Sequence, residues 1–246
     1  AGDAAAARDW YTQGLEIARR LAQADPANVQ FQRDLSISYE RLGDLARAAG
    51  DAAAARDWYT QGLEIRRRLA QADPANVDFQ RDLSISYERL GDLARAAGDA
   101  AAARTWYTQG LQIAQRLAQA DPANVDFQRD LSISYERLGD VARLDGDLPT
   151  AIDYYTRSLQ NWERVIAMNP IDLLNQRGPC IPHGRLGDIA RKSGDVDAAR
   201  RHFVAALEIA ERVHAVDPTN AMFAADVQRY RRWLAELGAN NAQDGE

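Results

Sequence analysis

The chain nearly superimposes on itself when it is slid by 48 residues, because AGDAAAARDWYTQGLEI begins at Ala1 and again at Ala49, and AGDAAAARTWYTQGLQI begins at Ala97. The first two units differ only at Ala18/Arg66 and Gln30/Asp78. Looser copies begin at Asp145 (DGDLPTAIDYYTRSL) and Ser193 (SGDVDAARRHFVAAL). A fixed period of this size means an array of stacked units, each unable to bury its apolar face alone. The 246 residues are therefore expected to form one solenoid over residues 1–238. Its units are 1–48, 49–96, 97–144, 145–192 and 193–238, followed by a polar tail, 239–246.

Each unit reads as two helices. From Val29, the residues Phe31, Leu35, Ser38, Leu42, Leu45 and Ala49 recur at three- and four-residue steps, with Tyr39 and Ala46 beside them, which is a helical stripe. Gly50 ends that helix, since positive φ is cheap only for glycine, and Asp51 is placed to cap the next one. A second stripe follows: Ala55, Tyr59, Gly62, Leu63, Leu69 and Ala70, ended by Asp73-Pro74. That proline is expected to open the next helix. The glycines at 43 and 62 mark places where helices approach closely. Trp58, Tyr59 and their copies read as core residues.

The combined pattern Y-x-x-L-G-D, then GD, then A-x-x-x-Y-x-x-G/A-L, then DP resembles the tetratricopeptide repeat. Tyr39, Leu42, Gly43, Ala46, Ala55, Tyr59, Gly62 and Pro74 fall on the signature positions of that family, and the resemblance covers the whole chain. It implies an all-α fold: an antiparallel helix-pair solenoid of about ten helices, wound as a right-handed superhelix with a concave groove for a peptide or protein partner. The family's usual unit is about 34 residues, so each helix here is longer by about two turns.

On the first helix of each unit, the face opposite the core carries Glu40, Asp44 and Arg47, flanked by Ile37 and Arg41. The set returns as Ile85, Glu88, Asp92 and Arg95, and as Ile133, Glu136, Asp140 and Arg143. Asp188 and Arg191 remain in the fourth unit, where Gly184 replaces the glutamate. The resemblance places this stripe in the concave groove, as a ladder of carboxylates rimmed by arginine on an isoleucine footing. A basic or amphipathic partner segment fits those charges. The opposing reading is a solvated face whose carboxylates are neutralised by Arg47, Arg41 or the arginines of the next unit.

One stretch departs from the repeat. QRDLSISYERLGD stands at 32, 80 and 128, but at 176 it becomes QRGPCIPHGRLGD. Gly178, Pro179, Cys180, Pro182, His183 and Gly184 read as a broken helix, because an interior proline costs about 3 kcal/mol and glycine about 1. A kink or loop is expected over 178–183, with a short helix from Ile171 to Gln176 before it and helix resuming near Gly184 or Arg185. Cys180-x-x-His183 lacks the four ligands of a structural zinc site, since His202 and His214 lie on the following helix. As a nucleophilic dyad it lacks a rigid setting and an oxyanion site. Neither catalysis nor a metal or other cofactor is expected.

The net charge of −6 disfavours nucleic acid as a partner. The single cysteine excludes an intramolecular disulfide and fits a reducing, cytoplasmic setting. No apolar run approaches the ~20 residues needed to cross a membrane. The chain lacks an initiator methionine and starts within a repeat, so it is expected to be a piece of a longer protein. Ala- and Arg-rich usage fits a bacterial source. A non-enzymatic interaction scaffold is the leading function. A regulatory arm of a bacterial multidomain signalling protein is one alternative. Self-assembly is another, as a homo-oligomer joined through the first helix, whose stripe of Tyr11, Leu15, Leu21 and Ala22 lacks a partner helix.

Overall fold

The computed structural model describes the backbone of residues 2–243 and the side chains of residues 6–238. Among these residues every regular element is helical. They are α1 (Gly2–Ala24), α2 (Val29–Ala48), α3 (Ala52–Ala72), α4 (Val77–Ala96), α5 (Ala100–Ala120), α6 (Val125–Leu144), α7 (Leu148–Met168), α8 (Leu173–Arg177), α9 (Cys180–Lys192), α10 (Val196–Val216) and α11 (Ala221–Gln243). The pair α8 and α9 fills the place of one helix, so ten helix positions result. The starts of α3, α5, α7 and α10 fall at 52, 100, 148 and 196, 48 residues apart. The chain divides into two compact units, Ala1–Leu117 and Ala118–Glu246. The division falls within α5, although the repeat pattern runs straight through it.

Two kinds of turn connect the helices. After α2, Gly50 takes φ 81°, the Gly50 N–H donates to Arg47 O (3.1 Å) and the Asp51 N–H to Ala46 O (2.9 Å). These bonds satisfy carbonyls that a helix end leaves orphaned. The Asp51 carboxylate then accepts from the Ala54 N–H at 3.0 Å, capping α3. Gly98, Gly146 and Gly194 repeat the positive φ. The other turn differs from the sequence expectation, because Pro74 sits in the connection and the next helix is capped by Asn76, which accepts from the Phe79 N–H. Asn28 and Asn124 do the same for α2 and α6. The D-P-A-N tetrapeptide, rather than the D-P pair, is the boundary signal.

The core forms where first helices meet second helices. A Cβ on Gly43 would collide with the ring of Tyr59, one on Gly91 with Tyr107, one on Gly139 with Tyr155 and one on Gly187 with Phe203. Glycine at this point lets a full aromatic ring lie flat on the neighbouring backbone, and those four rings are at most 3% exposed.

Three expectations need correction. The break in the fourth unit is only Gly178 and Pro179, and helix resumes at Cys180, not near Gly184. Pro179 is the N-cap residue of α9 (φ −63°, ψ −14°), which puts Pro182 in the first turn, where an N–H has no intrahelical acceptor to lose. The preceding short helix starts at Leu173, not Ile171, and is capped by Asp172.

At the amino end, Leu15 and Ala22 are each only 4% exposed, because α1 packs on α2. The exposed apolar residues of α1 are Trp10, Tyr11, Ile17 and Leu21. At the other end α11 runs on to Gln243, past the boundary expected at Gly238, since a lone glycine without a following cap costs about 1 kcal/mol and does not stop a helix. The rest of the expected tail, 244–246, lies outside the described residues.

Candidate interaction surface

The expected stripe of Glu, Asp and Arg is a bonded lattice. In the first unit Glu40 is bridged by Arg66 from α3 (Nη2–Oε2 2.5 Å) and by Arg89 from α4 (Nε–Oε1 3.2 Å). Arg89 also reaches Asp44 at 3.4 Å, and the Tyr59 hydroxyl donates to Asp44 at 2.6 Å. Burial works against charge on Glu40, yet the two guanidinium groups outweigh it and hold its carboxyl below the usual range. The Tyr59 hydroxyl is pushed up by burial and by Asp44. Arg47 lies 3.9 Å from Asp44 and is exposed, with Ile37 half-buried beside it.

The later copies keep the geometry and change the chemistry. Tyr107 donates to Asp92 at 2.6 Å, with Arg95 3.9 Å from Asp92. Ile85 and Glu88 are half-buried on the same helix. In the second compact unit Tyr155 donates to Asp140 at 2.8 Å, Arg185 from α9 pairs with Asp140 at 2.9 Å, and Arg143 stands 3.9 Å from it. Ile133 is half-buried. Asp188 takes both Arg191 (2.7 Å) and Lys192 (2.9 Å).

Glu136 is the exception. Its carboxyl is buried and, among the described residues, accepts from neutral donors, the Trp162 indole N–H at 2.7 Å and the Ser158 hydroxyl at 2.9 Å. Trp162 stands at the position of Arg66 two units earlier. Burial therefore dominates and pushes the Glu136 carboxyl up to about 7. The ladder is thus not uniform: Glu40 is an ion-pair partner, whereas Glu136 is a hydrogen-bonded core residue.

A second lattice, missed at the sequence level, ties first helices together. Arg33 binds Asp82 and Arg177 binds Asp226, each at 2.6 Å. In both pairs the arginine precedes its aspartate by 49 residues, one unit plus one residue. Gly178 occupies the aspartate position that would serve Arg129, and Arg129 turns to Asp126 on its own helix instead (2.6 Å). The signal was the recurring Arg-Asp dipeptide of QRDLS.

In the irregular stretch, Cys180 is fully buried with its Sγ 3.5 Å from Ala206 O. Burial pushes the thiol up to about 12, which suppresses the thiolate a nucleophile or metal ligand needs. His183 faces His202 rather than Cys180. Gly184 lies against Tyr230 and Trp233, at the edge of a shallow cleft of about 320 Å³ with Ile181, Arg185 and Arg229. Among the described residues no three His, Cys, Asp or Glu side chains converge as a metal site, and no helix is long and apolar enough to cross a membrane.

Paired helices with a ring-on-glycine contact in each pair, linked sideways by ion pairs from unit to unit, define a helical-repeat protein. Residues 36–76 and 183–212 each match a tetratricopeptide-repeat family model. BtubC (BKLC) from P. vanneervenii superimposes with a TM-score of 0.64 at 19% identity, over 99% of this chain and 93% of that one. TTC0263, a thermophilic TPR protein in Thermus thermophilus, gives 0.48 at 16% identity over 92% and 91%. MamA gives 0.43 at 17% over 82% and 90%. No curated protein sequence matches the chain. Those two segments are tetratricopeptide repeats, and the chain carries them in a helical-repeat fold of the kind that protein–protein interaction scaffolds use.

Proposed function

We propose that the protein is a non-enzymatic interaction scaffold, and that a peptide or protein segment lies along the face of the first helices bearing Ile37, Glu40, Asp44 and Arg47 and, in the same compact unit, Ile85, Glu88, Asp92 and Arg95. The observation that supports this reading is the exposure of Asp44 and Arg47, whose side chains stay 37% and 49% accessible on a helix whose opposite stripe, Leu35, Tyr39 and Leu42, is buried. Asp44 already serves Tyr59, Arg89 and, more distantly, Arg47. A basic, amphipathic segment fits: its cations take over carboxylate contacts from the exposed arginines, and its apolar side rests on Ile37 and Ile85.

The test avoids the ion-pair lattice. Fluorescence anisotropy would compare basic amphipathic, acidic and neutral peptides of equal length on the native protein and on the Ile37→Asp, Ile85→Asp double variant. Basic peptides are expected to bind at least tenfold tighter than acidic ones and to lose at least tenfold in the variant. Equal binding of all three peptides, or no loss in the variant, rejects the reading.

A second reading, self-association through α1, rests on Trp10 (71% exposed), Ile17 (52%) and Leu21 (42%) on that helix. Sedimentation over a hundredfold concentration range separates it from a monomeric scaffold.

A further inference from the structure

Where a first helix packs on the second-type helix that follows it, a ring from one meets a ring from the other. Tyr39 stacks on Trp58 and Tyr87 on Trp106, both with centroids 5.9 Å apart, and Tyr135 meets Tyr154 at 6.2 Å. In the fourth pair both partners have become histidine. His183 on α9 and His202 on α10 hold their rings 5.4 Å apart, and the two Nδ1 atoms face each other at 3.1 Å.

We propose that His183 and His202 form a two-imidazole site for a late first-row divalent cation, Cu²⁺ above the others. Imidazole suits these ions, and Cu²⁺ stands at the top of the affinity order. With metal–nitrogen bonds of about 2.0–2.1 Å, two nitrogens 3.1 Å apart subtend about 100° at the metal. That angle lies between the right angle of a square-planar or octahedral centre and the tetrahedral one. Binding needs each ring to carry its proton on Nε2, which frees both Nδ1 lone pairs. No proton leaves the pair, because the hydrogen now shared between the Nδ1 atoms moves to Nε2.

The setting supports the geometry. The two rings take the places of the aromatic pairs in the sibling units and turn their Nδ1 atoms toward each other. Both are only half-buried, which leaves the remaining coordination positions open to water or to a side chain of a bound partner. Cys180, three residues before His183, takes no part, being turned to Ala206.

The sibling unit supplies a control. His183→Tyr with His202→Tyr restores the Tyr135–Tyr154 pair, an arrangement this fold already accommodates. The experiment is a Cu²⁺ titration by calorimetry with electron paramagnetic resonance of the bound ion, on the native chain and the double variant. The expected result is one equivalent bound with hyperfine structure from two imidazole nitrogens, and at least tenfold weaker binding in the variant. His214 and the terminal amine are common to both proteins and cancel. Unchanged stoichiometry and affinity in the variant overturns the proposal. A second measurement needs no variant: imidazole ¹⁵N spectra of the native chain with Zn²⁺ should shift the Nδ1 signals of His183 and His202 and spare His214. Equal shifts at all three also overturn it.

Discussion

The indole of Trp162 fills the space where a side chain on Gly178 would stand. Two units earlier the same two positions are Arg66 and Asp82, and the Arg66 guanidinium donates to the Asp82 carbonyl at 3.2 Å. Replacing the arginine by tryptophan required the aspartate side chain to go, so the glycine is a compensation. Gly178→Ala is therefore expected to cost about 1–3 kcal/mol by overpacking. In a Trp162→Ala background the same change should cost less than half as much. Urea denaturation of the four proteins gives the coupling; additive costs would show that the glycine serves the helix break alone.

Asn175 is fully buried on α8, and neither atom of its side-chain amide has a hydrogen-bond partner among the described residues. The equivalent residues are Phe31, Phe79, Phe127 and Phe223. An unpaired buried polar group costs about 1–3 kcal/mol. Asn175→Leu, near in volume, is expected to raise stability by about 1–2 kcal/mol, seen as a higher melting temperature at pH 7. A lower one contradicts the assignment.

Arg66 is one of only two differences between the first two units, where the first has Ala18. It is 3% exposed and reaches Glu40, Ser36, Ser86 and the Asp82 carbonyl. Removing one partner of a buried ion pair typically costs about 3–5 kcal/mol. Glu40 keeps Arg89, so Arg66→Ala is expected near the low end, about 3 kcal/mol, by chemical denaturation. The Arg66→Met, Glu40→Gln double variant should recover more than half of that loss, because no charge is then left buried alone.

Much of this architecture was legible in the chain itself. The GD turns, the stripes and the glycines at 43, 91, 139 and 187 each follow from a local rule: a φ only glycine takes cheaply, a 3.6-residue period, a backbone that must meet a ring. The rival reading of the stripe, that arginines of the next unit neutralise it, describes Arg89 and Arg185. What escaped depends on pairs far apart in sequence. Nothing local in QRGPCIPHGRLGD shows that Gly178 answers Trp162, or that Pro182 falls in the first turn of α9 and so breaks nothing. The pairing of His183 with His202 was hidden the same way, since it appears only when the Tyr–Trp stacks of the sibling units are known.

Glu136 makes stability depend on pH in the direction opposite to an ion-paired carboxylate. Its folded-state pKa, about 7, lies above the ordinary value of 4.5, so between these values the folded chain holds a proton that the unfolded chain releases. The contribution is fully present below pH about 4.5 and is lost as the pH rises through about 7. At about 1.4 kcal/mol per pKa unit, this shift amounts to about 3 kcal/mol. Glu40 and Asp188, both lowered, lose stability on acidification instead, but they are shared by native and variant chains and cancel in a comparison. Glu136→Gln cannot ionise and keeps an oxygen to accept from Trp162 and Ser158. Between pH about 4.5 and about 8, urea denaturation should therefore show the balance moving in the variant's favour by up to about 3 kcal/mol. A constant difference across that range would mean that Glu136 is ionised in the folded chain, paired with a cation as Glu40 is.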